Sequence, residues 1–446
     1  MKSYDVVIVG GGPAGVTAAL SAKNSYPNKR IALIRKEAKP MIPCGIPYTL
    51  FSLKSIDDNI LTDAPLVANR IEILNDEAVD RNDHTLILAS GEQVKYEKLV
   101  LATGSNAVRP SIEGADKEGV FLVKKQKDYL EKLRAAVHSA NHVVIIGGGY
   151  IGVEVADELL KAGKKVTIVE MMPHLLMTMD LEFARVAEEE LAKEGARIIT
   201  KKSVKRILGG SSVSGVELSD GAKLDCDLVI ISVGYRPNLD LIKRLGVAYQ
   251  EAKGVLVDNY LRTSEEDIFA VGDCAIKNDF FTGDLTNIML ASTAMAEGRL
   301  VGSNLYSIKV VRQYQGVLGT FSTKIGNTAF AVTGMTEARA SQKGIDYTVG
   351  TSKAVDRHPG KLPGASEVYV KLIFSTYSHT LLGAEIYGGN SVGELINMVS
   401  VMILNRMTDT DINTLQIGTH PLLTPSPVAY PVINATIDAI VKWFQK

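Results

Sequence analysis

Asp5-Val6-Val7-Ile8-Val9-Gly10-Gly11-Gly12-Pro13-Ala14-Gly15 is an apolar strand running into a G-x-G-x-x-G turn. Its apolar pattern predicts a helix from the turn to about residue 25 and a second strand over 31–34. Strand, glycine turn, helix and strand in that order make the β-α-β unit that binds a dinucleotide. Gly10 permits the tight turn, and Gly12 lets the backbone approach a pyrophosphate at the helix N-terminus. Gly15 lets the helix pack close to the strand, and Pro13 and Ala14 complete the turn. The competing reading is a glycine turn that binds nothing. An acid for the ribose hydroxyls is usual at the end of the second strand. This chain has Arg35 there, followed by Lys36 and Glu37. Glu37 reaching back, Arg35 meeting a phosphate and a solvated Arg35 all remain open.

The same pattern recurs at His142-Val-Val-Ile-Ile-Gly147-Gly-Gly149-Tyr150-Ile151-Gly152-Val-Glu154, with a helix to about residue 162 and a strand over 165–169. That strand ends in Glu170. A carboxylate at this point bonds a ribose 2′-hydroxyl and repels a 2′-phosphate, so NADH is favoured, with NADPH possible. Two such units in one chain suit a nicotinamide donor and a flavin, which can trade electron pairs with nicotinamides and with thiols.

Between the units lies Met41-Ile42-Pro43-Cys44-Gly45-Ile46-Pro47-Tyr48, which holds one of three cysteines. Its small and rigid residues read as a helix entrance. A thiol there meets the positive end of the helix dipole and is favoured as thiolate. The competing reading is a buried, inert cysteine. Cys226 and Cys274 are read as structural, and three scattered cysteines form neither a disulfide framework nor a metal-ligand spacing.

With 446 residues, two or three domains are expected. The 49 basic and 50 acidic residues nearly cancel, which argues against a nucleic-acid or membrane-surface role driven by net charge. The longest apolar run, 395–404, falls short of the roughly 20 residues that span a bilayer. A cytoplasmic location is expected. A strand over 96–101 ends in Ala102-Thr103-Gly104, another over 228–233 ends at Gly234, and a third ends in Gly272-Asp273, where a carboxylate suits the hydroxyls of a polyol. From about residue 312, antiparallel strands are predicted over 317–321, 329–333, 346–350, 368–375 and 380–387, followed by helices over 392–405 and 431–444. This is a separate α+β domain.

Taken together, the segments at Gly10, Cys44, Thr103, Gly147, Gly234 and Asp273, with the loop Arg357-His358-Pro359-Gly360, resemble the flavin-dependent pyridine-nucleotide disulfide oxidoreductases. Within that family the chain is similar to the single-cysteine branch: coenzyme A-disulfide reductases, NAD(P)H persulfide or sulfur reductases, and NADH oxidases and peroxidases. The resemblance implies an α/β chain with two Rossmann-like domains and a C-terminal α+β dimerisation domain. FAD binding falls to 1–112 and 239–312, NAD(P)H binding to 113–238 and dimerisation to 313–446. It implies FAD at the first turn, with Asp273 on the ribityl chain and Thr103 and Gly104 beside the cofactor. At the second turn it implies NAD(P)H, with Tyr150 covering the flavin until nicotinamide displaces it and Glu154 near the nicotinamide. It also implies a homodimer or dimer of dimers whose partner contributes to the active site.

Departures narrow the branch. The two-cysteine enzymes need C-x4-C, and Thr49 stands at the second position. Their C-terminal His-Pro…Glu pair is reduced to His420-Pro421, with Pro425 in place of the acid; His420 is read as an acid or a cap. Tyr430 lies where coenzyme A-disulfide reductases supply a tyrosine. The first turn lacks the histidine of the peroxidases and water-forming oxidases. Thr17, Ser21 and Asn24 share one helix face at i, i+4, i+7 and are candidate coenzyme A contacts. Arg357, His358 and Lys361 are candidate phosphate contacts from the other subunit, the competing reading being a solvated loop. The expected activity is reduction of a small disulfide, persulfide or polysulfide at Cys44 by electrons from NAD(P)H through flavin, with coenzyme A a possible substrate moiety. The alternatives are an NADH oxidase and a non-enzymatic NADH-sensing flavoprotein.

Overall fold

Val6, Val7 and Ile8 have no exposed surface. A strand without polar alternation must be covered on both faces. Lys2–Val9 meets that demand at the centre of a sheet. It pairs in parallel with Ile31–Arg35 on one side and Gln93–Leu101 on the other. Glu72–Asn75 extends the sheet at one edge; Thr85–Leu88 and Ala78–Asn82 extend it antiparallel at the other, and Ile268–Ala270 also pairs with Gln93–Leu101. One face packs Val6, Ile8, Leu33 and Val100 against Ala14, Ala18 and Ala22 of the helix Pro13–Ser25. Val7, Val9, Ile34 and Leu99 fill the other face. These coordinates are a computed structural model that describes residues 1–286, 288–313 and 316–445. The sheet belongs to a compact unit made of Met1–Ser111, Phe121–Ser139 and Ile231–Val317.

Helix Ala291–Asn304 crosses Pro13–Ser25 at backbone distance. A Cβ on Gly298 would lie 2.6 Å from the Ala14 carbonyl oxygen, and one on Gly302 would lie 2.5 Å from that of Ala18. Only glycine fits either position.

The second unit comprises Ile112–Val120, Ala140–Ile230 and Leu318–Lys446. His142–Ile146, Lys165–Val169 and Arg197–Ile199 form a parallel sheet, with Leu228–Ile231 beside His142–Ile146. Val204–Leu208, Gly215–Leu218 and Lys223–Asp225 form an antiparallel ladder. The C-terminal sheet runs Phe321–Ile325, Thr328–Gly334, Leu381–Gly388, Glu367–Ser375, Tyr347–Val355, all antiparallel, with helices Val392–Leu404 and Pro431–Phe444 packed on it. The α/β class with a C-terminal α+β domain holds.

Two strand boundaries are corrected. The strand expected over 317–321 starts only at Phe321, because Gly316 and Gly319 adopt left-handed φ of +80° and +71°. The strand expected to stop at residue 350 continues to Val355. Gly350 is not a terminator: a Cβ there would lie 1.8 Å from the Ala435 carbonyl oxygen, so it admits the last helix to close contact.

A buried charge cluster ties this unit together. Lys371, 1% exposed, places Nζ 2.7 Å from both Asp180 and Glu182, 2.9 Å from Glu337 and 3.0 Å from Glu385. Asp180 also accepts the backbone N–H groups of Glu337 and Ala338. Burial pushes the Glu385 carboxyl upward despite Lys371. Hydrogen bonds and Lys371 hold Asp180 down against the same effect.

Candidate active site

In the first unit the glycine turn has the geometry its motif requires. Gly10 has φ +122°, and a Cβ on it would lie 2.0 Å from the Ala102 carbonyl oxygen; one on Gly15 would lie 1.9 Å from that of Gly10. Gly12 differs, because nothing lies within 4 Å of its added Cβ. It is the N-cap of Pro13–Ser25 and has no side-chain cap. The helix's first N–H groups therefore face an open cradle, which fits the pyrophosphate of FAD.

Arg35 is not solvated. It is 3% exposed, its Nη1 and Nη2 donate to the two Asp63 carboxylate oxygens at 2.5 and 2.6 Å, and Nη2 also donates to the Ala38 carbonyl. Its aliphatic stem packs on Gly11, where a Cβ would come within 2.6 Å. Glu37 is half-buried beyond it.

Asp273 sits on a 3-10 turn after Gly272, whose φ is +75°. Its Oδ2 accepts from Ser105 Oγ at 2.6 Å, and Lys125 Nζ lies 3.5 Å from the same oxygen. The turn is clamped from below. Glu297 accepts the Gly272 N–H at 2.7 Å, and the buried Lys277 donates to the Gly272 carbonyl at 2.6 Å. Thr103 Oγ1 donates to the Asn238 carbonyl, and Asn238 N–H donates to Gly104. Gly234 has φ +102° and accepts from the Val108 N–H. Ser105, Lys125, Lys277 and Glu297 escape sequence reasoning. The one signal is Glu297, an acid set in the small-residue run Ala294-Met-Ala-Glu-Gly298.

The expected helix entrance at Cys44 is corrected. Pro43–Gly45 and Pro47–Leu50 are two short 3-10 turns, so the thiol does not stand at the entrance of a longer helix. Each proline opens its own turn and lacks an N–H. Asn59 fixes the segment: its backbone carbonyl accepts from Ile42 N–H, its Nδ2 donates back to the Ile42 carbonyl, and its Oδ1 occupies the space a Cβ on Gly45 would need. Cys44 is exposed, whereas Cys226 and Cys274 are buried. Burial pushes the Cys226 thiol up to about 12 and raises that of Cys274. Thr49 is fully buried and donates to the Ile46 carbonyl. Thr17 and Ser21 are half-buried where Gly298 and Gly302 cross their helix, and only Asn24 is exposed.

In the second unit Gly147 has φ +106°, a Cβ on Gly152 would lie 2.1 Å from the Gly147 carbonyl oxygen, and Gly149 repeats the open cradle. The helix Tyr150–Lys161 begins there without a side-chain cap, which fits the pyrophosphate of NAD(P)H. Glu170 accepts the N–H groups of Gly148 and Met172 at 2.6 and 2.7 Å. Half-buried Tyr150 and Ile151 start the helix. Glu154 follows one turn later and accepts from Thr323 Oγ1 at 3.0 Å. Burial raises its carboxyl to about 7.

At the C-terminus Tyr430 is 8% exposed, its hydroxyl is 3.9 Å from Met398 Sδ, and burial raises its pKa. His420 is exposed and accepts the Leu422 N–H at Nδ1. His358 donates to the Thr424 carbonyl, and its backbone N–H donates to Pro421, so the 357–361 and 420–424 loops are stitched together. Arg357 donates to the Asp356 carbonyl, and Lys361 is exposed. Among the described residues no group of three or more His, Cys, Asp or Glu could hold a metal ion, and no helix is long and apolar enough to cross a membrane.

Comparison with known proteins gives consistent matches. A family model described as pyridine nucleotide-disulphide oxidoreductase matches residues 4–298, and that of its dimerisation domain matches 320–429. An NADH oxidase of Methanocaldococcus jannaschii is 31% identical over 458 residues, covering 99% of each chain. An NAD(P)H coenzyme A polysulfide/persulfide reductase of Pyrococcus horikoshii is 31% identical, covering 94% of this chain and 95% of its own. The structure of an NAD-dependent persulfide reductase from A. fulgidus superposes with a TM-score of 0.91 at 28% identity, covering 99% of this chain and 84% of its own.

Proposed function

The chain belongs to the pyridine nucleotide-disulphide oxidoreductase family, and from that premise we propose that it reduces a small disulfide, persulfide or polysulfide at Cys44. Its family-level activity is that of a flavin- and NAD(P)H-dependent oxidoreductase, and its dimerisation domain makes it a homo-oligomer. Residues 1–112 and 239–312 are assigned to FAD, 113–238 to NAD(P)H and 313–446 to dimerisation.

The observation that carries the proposal is the contrast among the thiols. Cys44 is exposed on a segment fixed by Asn59, while the other two are buried with raised pKa values. Thr49 stands where a resolving thiol would be needed, so Cys44 acts without a cysteine partner five residues on. As thiolate, its Sγ attacks one sulfur of the substrate. The substrate S–S bond breaks, a new S–S bond forms to Cys44, and the departing sulfur takes a proton. Tyr430 of a second copy, kept protonated by burial, is the proposed donor ahead of His420, whose Nδ1 is engaged by Leu422. When bound, FAD would supply the electron pair, drawn from NAD(P)H, that breaks the S–S bond to Cys44, returning its thiolate and releasing the remaining fragment as thiol or sulfide. Asn24, and Arg357, His358 and Lys361 of a second copy, are proposed contacts for a coenzyme A moiety, with Arg357 and Lys361 suited to its phosphates.

An NADH oxidase is the second reading, favoured by the name of the M. jannaschii relative. Anaerobic NADH oxidation separates the two. Coenzyme A disulfide, coenzyme A persulfide and polysulfide are offered to wild type and Cys44→Ser, with oxygen in a parallel assay. Fast turnover on a sulfur acceptor that vanishes in the variant is expected. Fast turnover with oxygen alone, unchanged by the substitution, would establish the oxidase.

A further inference from the structure

The side chain of Tyr150 is held at both ends. Its ring lies parallel to that of Phe321, with centroids 5.1 Å apart and planes 5° apart, and its hydroxyl hydrogen-bonds Thr178 Oγ1 at 2.8 Å. Phe321 opens the strand Phe321–Ile325 of the C-terminal sheet, and Thr323 on the same strand face donates to Glu154. Residues 321 and 323 are one strand repeat apart, and 150 and 154 are about one helical turn apart. The two spacings are each about 6–7 Å, so strand and helix meet in register. Tyr150 directly follows Gly149, whose open cradle fits the NAD(P)H pyrophosphate.

We propose that Phe321 is a docking platform for Tyr150. It holds the ring in a retracted position beside the glycine turn, so it sets how readily the second unit admits a nicotinamide. Phe321 is thus a positioning residue that acts through Tyr150, and the proposal rests on the reading of Tyr150 as the residue that yields to the nicotinamide. Losing the stack releases the ring toward the site, where it competes with the incoming coenzyme. Thr178 anchors the other end from the 171–179 loop, which begins next to Glu170. Coenzyme contacts at Glu170 and the position of Tyr150 are therefore linked through one short loop.

The test measures binding of NAD+ to the oxidised, FAD-loaded protein by calorimetry, in which no turnover occurs. Phe321→Leu keeps an apolar side chain without a ring, Phe321→Tyr restores the ring, and Tyr150→Ala removes the docked group. From the usual strength of an aromatic pair, Phe321→Leu is expected to raise the Kd for NAD+ about two- to twelve-fold, with Phe321→Tyr at the wild-type value. Tyr150→Ala is expected to lower the Kd, and adding Phe321→Leu to it to change nothing more. Thr178→Val gives a second route, weakening binding only when Tyr150 is present. Melting curves of each variant identify any that fail to fold. If Tyr150→Ala shifts the Kd while Phe321→Leu and Thr178→Val do not, the platform is refuted and the role of Tyr150 stands. If Phe321→Leu weakens binding equally with and without Tyr150, the effect is general packing and the platform is refuted. If Tyr150→Ala leaves the Kd unchanged, the underlying reading fails and the platform with it.

Discussion

Glu154 is a carboxylate whose surroundings set its charge near neutrality. Burial raises its pKa from 4.5 to about 7, and the Thr323 hydroxyl lowers it only partly. The folded chain therefore binds the Glu154 proton more tightly than the unfolded chain does. The stability this gives is fully present below about pH 4.5 and is lost as pH rises through about 7. Glu154→Gln removes the titration and keeps a side-chain acceptor for Thr323. Its melting temperature should be flatter than wild type between those pH values and higher than wild type at pH 8. Parallel wild-type and variant profiles across that window would contradict the assignment. The cysteines differ by the same physics: burial disfavours thiolate at Cys226 and Cys274, and exposure leaves Cys44 accessible.

The two glycine turns separate what a fold needs from what a ligand needs. Gly15→Ala would drive a Cβ to 1.9 Å from the Gly10 carbonyl oxygen, whereas Gly12 has nothing within 4 Å and an ordinary extended backbone with φ −79°. Gly12→Ala should therefore melt like wild type when flavin is removed from both, yet bind FAD at least tenfold more weakly. Gly15→Ala should lose stability with or without flavin. Equal flavin affinity in Gly12→Ala and wild type would place the pyrophosphate elsewhere. These elements were legible in the sequence because a close backbone approach leaves only one residue type, and glycine spacing records it. The Cys44 turn was misread because proline is as much at home at the start of a 3-10 turn as in the first turn of a longer helix. Asn59, which fixes that turn, lies 15 residues away and carries no local mark.

At the scale of the whole chain, the parts that escaped sequence reasoning are pairings between distant segments. Arg35 finds Asp63, Asp273 finds Ser105 and Lys125, Gly272 is clamped by Lys277 and Glu297, and Lys371 gathers four carboxylates. None of these has a fixed spacing, so only the fold reveals them. What the sequence did carry was the order of the units and the position of one cysteine. Cys44 therefore carries the proposed chemistry, which can be observed without turnover. The protein is loaded with oxidised FAD, its thiols are reduced, the reductant is removed under nitrogen, and coenzyme A disulfide is added. Peptide mass spectrometry should find one coenzyme A half bonded to Cys44, with one equivalent of coenzyme A thiol released and no adduct on Cys226 or Cys274. Coenzyme A thiol released with Cys44 unmodified throughout, or an adduct on either buried cysteine instead, would contradict the proposed chemistry.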